Sequence, residues 1–474
     1  MSNSDFEPYE KIPFRCYCQK LLVREVPVKG LHVRFYSNRY SLQRRIGLTF
    51  IENLWRLVKM KKTKALPAGD PSELGFAPER LDRISNMVDA EVGAGRLPGA
   101  VTLVARRGKV VHSHVSGKLD VERPAPVTAD SLFRLHSQTK PMTAAVLMVL
   151  FEEGAFLLDE PVSKWIPEFA KPGVFAIKPP QDAVRGDYSP TTPALREITI
   201  FDLLTMTSGL PSLGRTPVAY QPTMKAAGIT PGDTEDPTLD YDDRVVAIAG
   251  IPLHSQPGKL WNYGYDFDVL SLFLTRVSGK NLGELFQEKL LGPLGMHDSS
   301  FYCNEEDLSR LVTEHQWNPV EGKLAIRDRP ETSEKAGRGD RRVMSGNGVS
   351  GGLLCSPLDF ARFAQMLANG GELDGVRILG RKTVELMRTN HIGDRCIDSI
   401  APNCGFGFGM FVRKSIGSSF TPGSAGTFGW AGAAGTWFFI DPKEELFGLF
   451  FTHVFGLMFP TAVQFEKMTY EALC

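Results

Sequence analysis

Residues 132–154, LFRLHSQTKPMTAAVLMVLFEEG, decide how the rest of this 474-residue chain is read. The segment places Ser137-Gln138-Thr139-Lys140-Pro141 just ahead of an apolar run, and its pattern predicts a helix over 139–153. A serine hydroxyl is a weak nucleophile until a base removes its proton. If Ser137 opens the helix, Lys140 lies one turn further on the same face, within reach of the hydroxyl. The electropositive helix start and burial both disfavour a charged ammonium there, which makes Lys140 a candidate base. Pro141 fits a first turn, where its missing N–H is not needed. The same helix start offers the Ser137 backbone N–H to a developing oxyanion. A bare Ser-x-x-Lys recurs about once by chance in a chain of this length, so its surroundings must carry the reading.

Upstream, residues 78–93 place Leu81, Ile84, Met87, Val88 and Val92 on one face of a helix. Residues 99–116 hold two β-rich runs, AVTLVA and VVHSHVS, around Arg-Arg-Gly-Lys, which predicts a hairpin. Downstream, helices are expected at 200–205, 267–278, 282–291 and 358–369, with a closing helix at 460–472. Short strands are expected at 405–412, 429–432, 436–440 and 446–453. Two long Pro/Gly-rich loops, 170–197 and 211–245, are of the kind that shapes binding sites. Strands at both ends with helices between them imply one antiparallel sheet completed by both ends of the domain, beside a helical lobe. A cleft between the lobes is where a small molecule would bind.

The composition, 42% hydrophobic and 23% charged, is ordinary for a globular protein with a sizeable core. Charge is balanced overall but not locally. Residues 1–69 carry 14 Lys/Arg against 5 Asp/Glu, a surplus of +9, which the remaining residues offset. A mildly acidic body with a basic leader is not the pattern of a nucleic-acid partner. The seven cysteines (16, 18, 303, 355, 396, 404 and 474) lack zinc-site spacing and read as reduced thiols of a cytoplasmic protein. No window approaches the roughly 20 apolar residues of a membrane span. The N-terminus, MSNSDFEPYEKIPF, has no apolar signal core. Within the leader, Ile46, Leu48, Phe50, Ile51, Leu54, Trp55 and Val58 recur at helical spacing among Arg44, Arg45, Arg56 and Lys59. That pattern suits either a helix making weak membrane-surface contact or one that docks on the body. The expected organisation is a basic extension, 1–69, helical or partly disordered, followed by one domain over 70–474. Its sheet lobe spans about 70–135 and 330–474, and its helical lobe about 136–329. Met60, followed by Lys-Lys-Thr-Lys, is an alternative start, and the oligomeric state is left open.

From residue 72 onward the chain resembles the class C β-lactamase-related serine hydrolases, a family of penicillin-binding proteins, D-aminopeptidases, carboxylesterases and a fungal acyltransferase. Six segments carry the resemblance in order: TKPMTAAVLMVLFEEGAFLLDEPVSKWIPEF (139–169), ITIFDLLTMTSGLP (198–211), PGKLWNYGYDFDVLSLFLTRVSGK (257–280), LLGPLGMHDSSF (290–301), GGLLCSPLDFARFAQMLANGG (351–371) and GWAGAAGTWFFIDP (429–442). The resemblance implies a mixed α/β (α+β) fold of the serine β-lactamase and penicillin-binding-protein kind, with an antiparallel sheet flanked by helices plus a helical lobe. It implies Ser137 as the acylated nucleophile, Lys140 as its base partner and Tyr263 as the proton-shuttling tyrosine of the family's Y-x-N or Y-S-x element. Here the third position is Tyr265, a departure that removes an amide contact of true β-lactamases and makes Tyr265 a candidate substrate contact. Asp268 completes a Y-S-x-x-x-D pattern of the esterase branch. The family's K-T-G is absent; Trp430-Ala431-Gly432 stands in its place, as W-x-G does in the esterases. Trp430 and Gly432 are then expected to line the substrate site, and Ala433 to supply the second oxyanion N–H.

Two decoys are set aside. Gly348-Val349-Ser350-Gly351-Gly352 matches a nucleophile elbow, but a charged loop precedes it and no helix follows at once. Tyr36-Ser37-Asn38 copies the family string ahead of Ser137, in the wrong order. His136 is adjacent to Ser137 in sequence, yet neighbours on a helix point apart; His453 reads as a packed strand residue. The expected activity is hydrolysis of small carboxylic esters without metal or organic cofactor. The alternatives are acyl transfer from the same intermediate, β-lactam or D-aminopeptide hydrolysis, and an inactive binding homologue.

Overall fold

In a computed structural model, the structure describes residues 23–28, 31–36, 63–175, 191–211, 241–332, 352–395, 397, 401, 403–416, 421–456 and 459–474. Residues 44–60, Ser350 and the side chain of Tyr36 lie outside the described residues, as do parts of both long loops. The chain divides into two compact units, Met1–Lys61 and Lys62–Cys474. The first holds an antiparallel hairpin, β1 (Val23–Val28) and β2 (Leu31–Tyr36). Among the described residues, no helix is long and apolar enough to cross a membrane.

The second unit is built on a seven-stranded, wholly antiparallel sheet. Its strands are β3 (Gly99–Arg106), β4 (Lys109–Gly117), β7 (Cys404–Phe406), β8 (Phe411–Arg413), β9 (Phe428–Ala431), β10 (Trp437–Asp441) and β11 (Leu446–Thr452), in the order 7-8-9-10-11-3-4. Pairing of β11 with β3, from Leu446 opposite Arg106 to Thr452 opposite Ala100, closes the sheet from both ends of the domain. Arg107 and Gly108 both adopt positive φ between β3 and β4, as a tight turn matched to strand twist requires. Residues 405–412, expected as one strand, form two. Gly407 and Gly409 turn the chain between them, with Gly409 at φ 75°.

Successive residues of a strand face opposite sides, and β10 uses this to bind two layers. Phe438 meets Phe360 of α4 (Pro357–Ala368) on one face. Phe439 meets Phe465 and Tyr470 of α5 (Phe459–Glu471) on the other, beside which α1 (Pro78–Gly93) also packs. Removing each ring from water contributes about 1.5–3 kcal/mol. The helical lobe centres on α2 (Thr139–Glu152), buried in all but its last two residues, and α3 (Asp266–Ser278) packed against it. Its length and composition suit a helix enclosed on every side. A smaller sheet, not anticipated from sequence, consists of β5 (Glu314–Asn318), β6 (Lys323–Asp328) and β12 (Val454–Phe455), with β5 between the other two.

Candidate active site

The nucleophile candidate sits at the junction of the two lobes, on a single 3-10 turn, His136–Gln138, that runs directly into α2. Ser137 thus precedes the α-helix instead of opening it, but Lys140 is still three residues on. His136 holds φ at 45°, a left-handed conformation that costs a residue with a Cβ roughly 1 kcal/mol. Leu135 N–H donates to Leu353 O at 2.9 Å, and Leu353 N–H donates to Thr139 Oγ1 at 3.0 Å. Ser137 is half-buried among buried neighbours.

Lys140 is fully buried, and its Nζ lies 3.1 Å from Ser137 Oγ. Tyr263 OH reaches the same oxygen at 2.5 Å, while Lys140 Nζ is 5.0 Å from the Tyr263 ring centre. Ser137, Lys140 and Tyr263, 126 residues apart at the extremes, therefore form one contiguous hydrogen-bonded cluster of groups that can carry protons. Asn262, preceding the tyrosine, anchors its loop by donating from Nδ2 to Leu210 O at 2.6 Å. Gly264 admits no side chain: a Cβ there would fall 2.8 Å from the carbonyl oxygens of Leu210 and Pro211. The tyrosine loop and the 206–211 loop can approach this closely only through glycine.

The third element arrives on β9, which packs against the nucleophile turn. Trp430 is buried and stacks on Tyr263, ring centres 6.0 Å apart and 25° between planes. Its ring is spent on supporting the tyrosine; the expected apolar wall is a buttress. A Cβ on Gly432 would lie 2.3 Å from Leu135 O, so this glycine lets β9 reach the backbone beside Ser137. Ala433 is half-buried, its carbonyl accepts from Gly456 N–H at 3.1 Å, and its own N–H donates to no backbone carbonyl among the described residues. Tyr265 departs from expectation. It is 1% exposed and belongs to the core, where burial, then Asp268, pushes its phenol up; it has no surface to offer a substrate.

Both histidines are engaged elsewhere. His136 is buried and hydrogen-bonded through Nε2 to Glu314. His453 is enclosed against Phe133 and His315, and burial pushes its imidazole well down.

Asp266, missed from sequence because an acid in a first helical turn looks ordinary, is fully buried at the start of α3. Ser208 Oγ donates to it at 2.5 Å, and burial raises its carboxyl to about 8, with Asp202 and Asp268 adding to the shift. The folded state therefore holds a proton that the unfolded chain releases above the ordinary value of 3.8. Stability from this group is full below that value and falls as pH rises toward about 8. Asp266→Asn is expected to flatten that loss, gaining on the order of several degrees in Tm relative to wild type at pH 8 against pH 5. Parallel thermal-unfolding curves for the two proteins across this range would show that Asp266 carries no such proton.

A family model described as Beta-lactamase matches residues 84–469. Protein Rv1367c of Mycobacterium tuberculosis is 35% identical over 370 residues, covering 75% of this chain and 86% of its own length. Esterase EstB of Burkholderia gladioli is 29% identical over 403 residues, covering 82% of this chain and 94% of its own. Among solved structures, EstCE1, described as a hydrolase with promiscuous acyltransferase activity, superposes with a TM-score of 0.70 at 25% identity, covering 83% of this chain and 99% of its own. Simvastatin synthase (LovD) of Aspergillus terreus shares the fold at a TM-score of 0.68 and 21% identity, covering 82% of this chain and 98% of its own. With its matched span running from α1 to the closing helix, the chain belongs to the beta-lactamase family and is a serine hydrolase of the beta-lactamase-related type.

Proposed function

We propose that the protein hydrolyses small, uncharged carboxylic esters through an acyl-enzyme on Ser137. The observation that carries this reading is the convergence of Lys140 Nζ and Tyr263 OH on one serine oxygen, at 3.1 and 2.5 Å. Ser137 Oγ attacks the ester carbonyl while its proton passes to the Lys140–Tyr263 pair. The tetrahedral oxyanion is held by the backbone N–H groups of Ser137 and Ala433. Collapse breaks the ester C–O bond, and the stored proton leaves with the alcohol. Water then attacks the acyl-enzyme, giving its proton to the same pair, and Ser137 recovers it as the acid departs. Every step draws only on these side chains and backbone groups. The functional domain is taken as 70–474, with 1–69 as an extension to it. A cytoplasmic setting is part of the same proposal, from the scattered spacing of the seven cysteines.

The substrate class follows from β9. Where a K-T-G lysine would offer a cation to the carboxylate of a β-lactam, Trp430 presents an aromatic ring to Tyr263. A panel of p-nitrophenyl esters set against a chromogenic cephalosporin tests this: short esters are expected to turn over at least 100-fold faster in kcat/KM, roughly the 2–3 kcal/mol of a charge-assisted contact. Faster cephalosporin opening would overturn the reading. The resemblance to EstCE1 supports a second outcome from the same intermediate, acyl transfer to an alcohol, which product analysis in methanol–water mixtures would display as methyl ester.

A further inference from the structure

The oxyanion donors just assigned belong to two separate segments, and a catalytic gain requires them to be fixed before the substrate arrives. A buried chain of contacts runs between those segments. It begins at His136, whose left-handed backbone precedes the Ser137 N–H. The His136 ring is 2% exposed, and its Nε2 donates to Glu314 Oε2 at 2.6 Å. Glu314 is equally enclosed on β5, and its other oxygen pairs with Arg327 of β6. Burial alone would raise the Glu314 carboxyl, but His136, Arg134 and Arg327 together hold it well below the usual range, so it stands as an ionised acceptor. The Arg327 guanidinium lies 3.8 Å over the ring of Phe455 on β12, and that ring meets His136 edge-on at 6.0 Å. The next residue, Gly456, donates its N–H to Ala433 O at 3.1 Å.

We propose that His136, Glu314, Arg327 and Phe455 form a positioning brace that fixes the backbone donors of Ser137 and Ala433 relative to each other. The proposal rests on the acyl-enzyme reading above. None of the four residues reaches the reacting atoms; they act through the peptide units on either side of the hole. A buried ion pair is a poor device for stability alone, because an apolar replacement of equal volume serves as well. It is a good device for fixing direction, because a charge-assisted hydrogen bond tolerates little angular error. The small sheet β12-β5-β6 then has a purpose: its central strand carries the glutamate, and its flanking strands carry the arginine and phenylalanine.

The test uses the full chain with His136→Asn, Glu314→Gln and the double variant. Asparagine tolerates the left-handed backbone at 136, so that exchange removes the ring contact while sparing the turn. Glutamine keeps the shape and an acceptor at 314 but loses the charge. Steady-state kinetics on p-nitrophenyl butyrate, inhibition by an arylboronic acid that forms a tetrahedral adduct, and Tm are measured together. A misplaced donor is expected to lower kcat about 10- to 100-fold, short of outright donor loss, and to weaken the boronate in parallel. KM should stay within about twofold, and the double variant should cost no more than the worse single one, because both break the same brace. A merely structural role would lower Tm and leave kcat and boronate affinity of the folded fraction unchanged, which would overturn the proposal, as would additive effects. Arg327→Met, at the more accessible end of the chain of contacts, decides the matter where the inner variants do not fold: a several-fold loss in kcat supports the brace, and none refutes it. Ser137→Ala run alongside separates the two ideas. Its inactivity beside unaffected brace variants removes the brace alone, whereas retained activity removes both.

Discussion

Ser137→Ala is expected to lower kcat on p-nitrophenyl esters by about 10⁴-fold or more and to abolish covalent labelling by a fluorophosphonate. The size follows from the role. Removing Oγ removes the atom on which Lys140 and Tyr263 converge, so the proton-transfer machinery has no nucleophile to serve. What remains is substrate held near two backbone N–H groups, which is worth a modest acceleration over water. The substitution deletes one oxygen from a half-buried position and leaves the turn hydrogen bonds of Leu135 and Thr139 intact, so Tm should change little. Mass spectrometry of the labelled wild type should place the adduct on Ser137. An adduct on Ser350, or esterase activity persisting in the folded variant, would show that the 3-10 turn before α2 is not where the chemistry happens.

Much of this arrangement was legible because local pattern and tertiary role coincide. The helix of α1 begins and ends where its apolar face and its Pro78 start predict, and WFFID is a nearly continuous apolar run, as suits a strand covered on both faces. Ser137 and Lys140 stand out as a motif and Tyr263 through the family resemblance, and the fold brings the three side chains together at one serine oxygen. Other features leave no local signature. His136 and Glu314 are 178 residues apart, and nothing near either announces the other. Asp266 looks like an ordinary acid in a first turn; only burial makes it unusual. Residues 405–412 read as a continuous strand because the glycines that turn the chain also occur inside strands. The direction of the Trp430 ring, toward Tyr263 and not toward open space, depends on a packing partner supplied by another lobe. The general lesson is physical: covalent chemistry restricts composition locally, whereas the shell that aims it is assembled from long-range contacts.

Lys140→Met is the substitution that separates base chemistry from packing, and it is expected to lower kcat by roughly 10³-fold with little change in Tm. Lys140 is fully enclosed, its stem lying within a core that also receives Gly409, where a Cβ would come within 3.2 Å of the Lys140 carbonyl. An alanine there would open a cavity and confuse lost volume with lost function. Methionine fills nearly the same space and carries no exchangeable proton. Tyr263→Phe provides the complementary cut: the ring that stacks on Trp430 and faces the Lys140 amine stays, and only the hydroxyl 2.5 Å from Ser137 goes. If the pair acts as one proton relay, each single loss should approach the loss in the double variant, because a relay fails wherever it is cut. Independent contributions would instead multiply, and stopped-flow bursts would divide them, with lysine slowing acylation and tyrosine slowing the departure of the acyl group. Full activity in Lys140→Met, with the fold intact, would mean that Tyr263 alone activates Ser137 and that the buried amine serves only to orient the phenol.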